Sequence, residues 1–264
     1  CAALTSVTFA KNGNLKSIGK GCFGSCKLLT EIVLPNTVET ISNGAFYNCT
    51  VITALNIPDS VTTIGVSAFS YCSKLTSVSI GNSVTTIGED AFYYCSNLVS
   101  VELPAALTSI GEEAFRGCSS LTAVTIQEGV TSIGDRAFNG CPSLTTITIP
   151  EGVTSIGYDA FRGCSSLTSI VIPEGVTSIG EEAFCGCSSL KSITIPESVK
   201  TIHDNAFLYC IGLTSVTSLN PTPPTCGTDV FGIVNVGNIT LEVPAESVSL
   251  YQSAQTWKDF GTIK

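Results

Sequence analysis

The chain has 264 residues and a formal charge of −9, from 12 basic and 21 acidic side chains, with 24 glycines, 13 cysteines, 12 phenylalanines, a single histidine and no methionine. So acidic a chain argues against nucleic acid and anionic membrane surfaces as partners, because both recruit Lys and Arg. One histidine argues against an ordinary enzyme, and no apolar run approaches the roughly 20 residues that span a bilayer.

In chain order, Cys1 stands three residues before Leu4, as Cys26 stands three before Leu29. Cys1 therefore reads as the last part of a unit that begins upstream. This is preferred here to a lipid-modified N-terminal cysteine. From Phe23 onward the chain is periodic. Phe23, Phe46, Phe69, Phe92, Phe115, Phe138, Phe161, Phe184 and Phe207 are 23 residues apart. Cys26, Cys49, Cys72, Cys95, Cys118, Cys141, Cys164, Cys187 and Cys210 follow them at the same step. A fixed period of this length is the signature of a solenoid.

The unit from Leu144 reads LTTITIPEGVTSIGYDAFRGCSS. Leu144, Ile147 and Ile149 place apolar side chains on one face of a first strand, which Pro150 ends and Glu151-Gly152 turns. Val153 and Ile156 mark a second short extended segment. Ala160, Phe161 and Cys164, at i, i+1 and i+4, predict one or two turns of helix. Asp159, with Glu112, Glu113, Glu181 and Glu182 in the equivalent places, would then lie in the first helical turn, where the dipole favours acid. One unit cannot bury enough surface to fold alone, so neighbouring units must stack. Strand starts at Leu4, Leu29, Ile52, Leu75, Leu98, Leu121, Leu144, Leu167, Leu190 and Leu213 give a rod or arc roughly 45–50 Å long at one strand spacing per unit.

After Leu213 the pattern breaks at Leu219–Cys226, and Phe231 comes one residue late. The reading divides the chain into a repeat array over 1–218 and an irregular last repeat with a C-terminal cap over 219–264, carrying the only tryptophan, Trp257.

The unit LTSVTIPEGVTSIGEEAFRGCSS, spread with small changes over Leu121–Ser189, resembles the BspA-like (Treponema pallidum-type) leucine-rich repeats of bacterial surface proteins. The tail Thr240–Lys264 is similar to the C-terminal unit that often follows such arrays in gut Bacteroidetes and relatives. The resemblance covers essentially the whole chain. It implies an α/β solenoid, a right-handed leucine-rich-repeat arc of about ten units, in a protein secreted or attached to a bacterial surface. It further implies binding to host extracellular-matrix proteins or other cell-surface proteins, and it supplies no catalytic residues.

Several motifs are set aside. The nine periodic cysteines would point the same way on adjacent strands, so they form a ladder of free thiols instead of disulfides. Cys22, at the Ala position, reads as core, and Cys185 as exposed; Cys185-Gly186-Cys187 is a weak redox or metal pair. Gly19-Lys20-Gly21-Cys22-Phe23-Gly24 matches a dinucleotide fingerprint without its strand–helix context. Glu128, Glu151, Glu174 and Glu197 form an acidic ladder in the turn after the first strand, more simply a solvated edge than a calcium site. His203 reads as a surface turn residue, and the sequons at Asn48 and Asn238 carry no argument. No cofactor or metal is expected.

The outward strand positions Thr122, Thr125, Thr145, Thr148, Thr168, Ser169, Ser192 and Thr194 serve solubility and sheet formation, or offer a flat hydrogen-bonding surface. The repeats differ most just after the Phe, at Tyr47, Tyr71, Tyr93 and Tyr94 in three adjacent units, with Arg116 and Arg162 later. Tyr and Arg dominate interface hot spots, so these six residues are the candidate binding site, weighed against simple packing between units. The expected function is a non-catalytic, adhesin-type protein-binding module, a monomer in the first instance. The alternative is a structural spacer that presents another domain of a longer surface protein.

Overall fold

The computed structural model describes residues 1–10 and 13–264. It is a parallel β-solenoid in which each turn adds one strand to one stack and, from Ala54 onward, one to a second; the segments opening at Leu4 and Leu29, expected as strands, form none. The second extended segment of the unit becomes a ten-stranded parallel sheet of two-residue strands, from Ser17–Ile18 through Thr40–Ile41 to Thr225–Cys226. The first segment forms two five-stranded sheets. One holds Ala54–Ile57 through Thr146–Thr148, the other Ser169–Val171 through Thr262–Ile263. Pairing is in register with the sequence period, Ser132 beside Ser155 and Ile133 beside Ile156.

Along each strand burial alternates, as Ser192–Ile195 shows with Ile193 and Ile195 buried and Ser192 and Thr194 exposed. The inward residues of one turn, Leu144, Ile147, Ile149, Val153, Ile156, Ala160, Phe161 and Cys164, all lie in a core that runs the length of the molecule. Phe rings from successive turns stack with centroids 5.2–5.5 Å apart. That spacing matches the strand repeat, so one residue type serves every turn.

The expected helix does not form. Around Phe69 the N–H groups alternate in destination. Those of Ala68, Ser70 and Cys72 bond three residues back within the turn. Those of Ser67, Phe69 and Tyr71 donate to Glu89, Ala91 and Tyr93 of the next turn, at 2.7–2.8 Å. The residues two before and two after the Phe are left-handed, Ser67 at φ 53° and Tyr71 at φ 60°. A helix would satisfy its donors internally, whereas here half of them bind the stack together. With no helix dipole to serve, Glu113, Asp159 and Glu182 at these positions pair with arginines instead.

From Cys49 onward each thiol of the cysteine ladder donates to the carbonyl of the Phe one turn back, Cys72 to Phe46 at 3.3 Å and Cys118 to Phe92 at 3.3 Å. The ladder residues are thus small apolar fillers and weak donors at once. Two other cysteines depart from expectation. Cys22 is exposed, since it belongs to the first turn of the regular stack, and Cys185 is buried, tucked beside Arg162 and Glu182.

Past residue 218 the rhythm changes but stacking continues. The Phe231 ring lies 5.4 Å from Phe207 despite the extra residue, and Thr240–Glu242 and Thr262–Ile263 extend the sheet. Buried Trp257 packs on Phe231, Tyr251 and Phe260 and donates Nε1–H to the Pro224 carbonyl at 2.9 Å. Buried Asn220 donates to the Glu197 carbonyl at 2.9 Å, while its own carbonyl accepts the Tyr251 hydroxyl at 2.9 Å.

Burial pushes the core thiols up, Cys49 to about 11 and Cys164 and Cys210 to about 12. Of the 13 cysteines Cys1 and Cys22 are exposed, Cys226 is partly exposed and ten are buried, so a thiol reagent should label two quickly, Cys226 more slowly and ten only on unfolding. Because the thiol pKa values are raised in the folded state, the folded chain retains protons that the unfolded chain loses. Stability should be full below about pH 8.5 and fall with alkalinity above it, read as a dropping Tm. Replacing several ladder cysteines by alanine should flatten that fall.

Candidate functional site

The tyrosines occupy two adjacent columns. Tyr47 and Tyr93 directly follow a Phe, while Tyr71 and Tyr94 lie two residues after one, in the second left-handed position. That second column runs Ser25, Asn48, Tyr71, Tyr94, Gly117, Gly140, Gly163, Gly186, Tyr209 and Ile233, every member at positive φ. Glycine is at ease there, but a tyrosine in this region is costly, by roughly 1–2 kcal/mol per residue. The stack imposes the conformation whatever the side chain, because the residue's own N–H must reach the next turn, as Tyr94 does to the Arg116 carbonyl at 2.7 Å.

Four of the six candidate residues come together with a fifth. Tyr71 is the hub: its ring stacks on Tyr94 at 5.7 Å and meets Tyr47 and Tyr93 edge-on at 5.7 and 5.3 Å. Tyr93 and Tyr94 are 4.5 Å apart, and the Arg116 guanidinium lies 5.7 Å over Tyr93. Tyr93 is half-buried and its hydroxyl is pushed up to about 12, first by burial and then by hydrogen bonding to Tyr71. Tyr47, Tyr71 and Tyr94 remain 40%, 39% and 42% exposed. Arg162 stands apart from this cluster, bound to Asp159 and Glu182. Sequence reasoning passed over Tyr209, which shares the left-handed column and is half exposed. Its signal was positional, two residues after Phe207 as Tyr71 is after Phe69.

Below Tyr94 the column turns to glycine, and a groove of about 410 Å3 runs from Tyr94 past Arg116, Gly117 and Gly140 to Gly163. A side chain at Gly117 would meet the Tyr94 ring at 3.0 Å, so the ring rests directly on that glycine.

Carboxylates and guanidinia form a chain of ion pairs across the turns beside this groove. Arg116 holds Glu113 at 2.8 Å, Arg136 reaches Glu112 and Glu113 at 3.4 Å and Asp159 at 3.5 Å, and Arg162 holds Asp159 and Glu182. These contacts account for Glu112, Glu113, Asp159 and Glu182. Asp159 is buried between Arg136 of the preceding turn and Arg162 of its own, whereas among the described residues no cation pairs with Asp90. Its carboxyl is raised, first by burial and then by Glu113, Glu89 and Glu112.

Other candidates serve the fold. Thr122, Thr145 and Thr168 donate their hydroxyls to the preceding turn's carbonyls at 3.1–3.4 Å, while Thr125, Thr148 and Thr194 point outward and are exposed. A polar trough of about 990 Å3 lies over Asn56, Ser77, Ser79, Ser100 and Glu102. Glu128, Glu151, Glu174 and Glu197 are exposed, as is His203. Among the described residues no three His, Cys, Asp or Glu side chains gather as a metal-holding group, and no helix is long and apolar enough to cross a membrane.

Comparison with known proteins agrees with this architecture. The description of the BspA type leucine rich repeat region matches in six copies, over residues 1–122 and 85–214. Among solved structures, a leucine rich cell surface protein from Faecalibacterium prausnitzii is 28% identical, with 100% of this chain and 73% of that one covered and a TM-score of 0.51. A leucine-rich repeat protein from Bacteroides ovatus is 27% identical over 98% of this chain and 71% of its own, with a TM-score of 0.62. The leucine rich repeat protein of T. pallidum is 32% identical over 62% of this chain and 76% of its own, with a TM-score of 0.55. No curated protein matches.

Asp90 carries both liabilities of this edge, a left-handed backbone at φ 56° and like charge that Arg116 relieves only in part. Asparagine tolerates that backbone better and has no charge, as Asn205 does in the same column. Asp90→Asn should raise Tm by about 1–3 °C at neutral pH. The raised carboxyl destabilises the fold only while ionised, so the gain should shrink as pH falls toward 4. A Tm series against pH for both proteins checks this.

Proposed function

The chain belongs to the BspA-type leucine-rich-repeat family, and from that membership we propose that it is a non-catalytic, adhesin-type protein-binding module of an extracellular or bacterial cell-surface protein. The observation that carries the reading is the placement of Tyr71 and Tyr94. Both sit at left-handed positions where four later turns use glycine, and both leave their rings exposed. Tyrosine kept at a strained surface position, with its ring only partly buried, supports a role outside the fold. Rigid, amphipathic tyrosines clustered with an arginine are the anchors that protein interfaces favour. Tyr47, Tyr71, Tyr93, Tyr94 and Arg116 form the centre of this surface, and Arg162 lies at its far margin along the groove.

A second reading keeps a specific observation on its side. Thr122, Thr145 and Thr168 spend their hydroxyls on the preceding turn, and these turns are nearly identical outside. Such uniformity suits a rigid spacer for another domain of a longer surface protein.

Direct binding to a panel of matrix proteins, fibronectin and fibrinogen among them, and to glycans separates the two. The proposal expects saturable binding to a protein, lost in Tyr71→Ala/Tyr93→Ala/Tyr94→Ala. Because alanine at positive φ is itself strained, Tyr71→Gly/Tyr94→Gly should lose binding while keeping the native circular dichroism and at least the native Tm. Binding that survives both variants removes the tyrosine cluster as the site. No binding to any panel member favours the spacer.

A further inference from the structure

Resting on the reading that the tyrosine cluster is the binding surface, we propose that its partner presents an extended basic segment, whose Arg and Lys side chains lie on the exposed faces of Tyr47, Tyr71 and Tyr94 against the carboxylates of Glu89, Asp90 and Glu112.

The molecule already makes this contact with its own side chains. Arg116 lies 5.7 Å over Tyr93 and Arg136 lies 4.7 Å over Tyr158, each guanidinium also holding a carboxylate. A cation over a tyrosine face with an acid beside it is therefore the local mode of pairing on this edge. Tyr47, Tyr71 and Tyr94 have the same ring and substantial exposure, and among the described residues no cation lies over them.

Charge selects the occupant. Beside the Phe in the turns that carry the cluster and the groove, Glu89, Asp90, Glu112, Glu113, Asp135 and Asp159 outnumber Arg116, Arg136 and Arg162. Arg116 is committed to Glu113, and Arg136 is shared with Asp159 on the far side. Glu89 and Glu112 are exposed, and the raised carboxyl of Asp90 shows that the like charge is not fully relieved. The whole chain is −9, so a basic segment is drawn in over long range and an acidic one repelled. The groove beside Tyr94 supplies a path for the main chain alone, since its floor of Gly117, Gly140 and Gly163 allows close approach while its one charged lining residue is Arg116; the basic side chains turn out of it toward the tyrosines and carboxylates. An apolar peptide would leave these carboxylates desolvated and unpaired, which disfavours it.

The probes are fluorescein-labelled peptides of twelve residues, (Arg-Ser-Pro)4, (Lys-Ser-Pro)4 and (Glu-Ser-Pro)4, titrated by anisotropy at low and moderate salt. The Arg peptide should bind, the Lys peptide more weakly because an ammonium stacks less well, and the Glu peptide not at all. Affinity of the Arg peptide should fall about tenfold as salt rises from about 50 to 300 mM. Tyr71→Gly/Tyr94→Gly should weaken it at least tenfold, and Glu89→Gln/Glu112→Gln about three- to tenfold, with circular dichroism unchanged. Equal binding of the Glu peptide overturns the proposal. So does full binding by the tyrosine variant, which would mark a diffuse charge effect. If a panel protein binds through the tyrosines while no basic peptide does, the cluster stands as the site and the basic partner falls. If the Arg peptide is bound through the tyrosines while every panel protein fails, the surface chemistry stands and only the choice of matrix protein is wrong. Preference for a sulfated polysaccharide over the Arg peptide would also overturn it.

Discussion

The stack depends on one constraint, that each turn must present its backbone donors and acceptors to its neighbours at a single register. Strand N–H groups donate to the preceding turn, Thr76 to Thr53 and Gly88 to Ile64, while those flanking the Phe donate to the following one, Phe69 to Ala91. Bonds running both ways lock a turn on two sides, and a shift of one residue would break both sets. The Phe column, with rings 5.2–5.5 Å apart, and the Cys column, with thiols on the Phe carbonyls, are what that register permits at its core. The period is therefore strict where backbone bonds are made, and relaxes only past residue 218, where Phe231 still finds its place after an extra residue.

The same constraint divides the surface into columns with different freedoms. Threonine hydroxyls close the gaps between turns on the strand side. Beside the Phe, Glu113, Arg136 and Asp159 occupy one column in successive turns and pair across them, a local alternation of sign that serves the register as well as solubility. Exposed pairs of this kind are individually weak, but Asp159 is buried between Arg136 and Arg162 and gains more from the arrangement. Tyr93 joins this system through Arg116, so the aromatic cluster and the ion pairs form one continuous edge.

Most of the architecture was legible because hydrophobicity carries it. The columns of Leu, Ile, Val, Phe and Cys are visible at a glance, and the alternation in LTTITIP fixes which face is inward. The segment around the Phe misled because Ala160, Phe161 and Cys164 have helical spacing, while what decides their structure is backbone sign, which hydrophobic periodicity does not encode. A clue lay in the run Gly117, Gly140, Gly163 and Gly186, four glycines in one column, which marks a left-handed position. Read that way, Tyr71, Tyr94 and Tyr209 would have separated at once from Tyr47 and Tyr93. Cys22 and Cys185 were misplaced for a different reason, since burial in a stack depends on the neighbouring turn and not on the residue's own column. The Asn220, Tyr251 and Trp257 contacts lie outside the period and left no repeating trace.

Whether such a molecule binds or merely spans turns on where it departs from uniformity. A spacer gains nothing from variation, and the turns over Leu121–Ser189 vary little. The left-handed column is then the informative place, because glycine satisfies it at least cost and the chain has used glycine there four times. Replacing it with tyrosine in two adjacent turns opposes the backbone preference and leaves two aromatic rings partly exposed. Packing among the rings returns part of that cost, about 0.5–1.5 kcal/mol for a well-placed pair. It does not explain why the rings should be exposed, since Phe69 and Phe92 already fill the core beneath them. A surface that accepts strain, assembles four tyrosines and leaves like charge only partly relieved is better suited to meeting another molecule than to holding itself together.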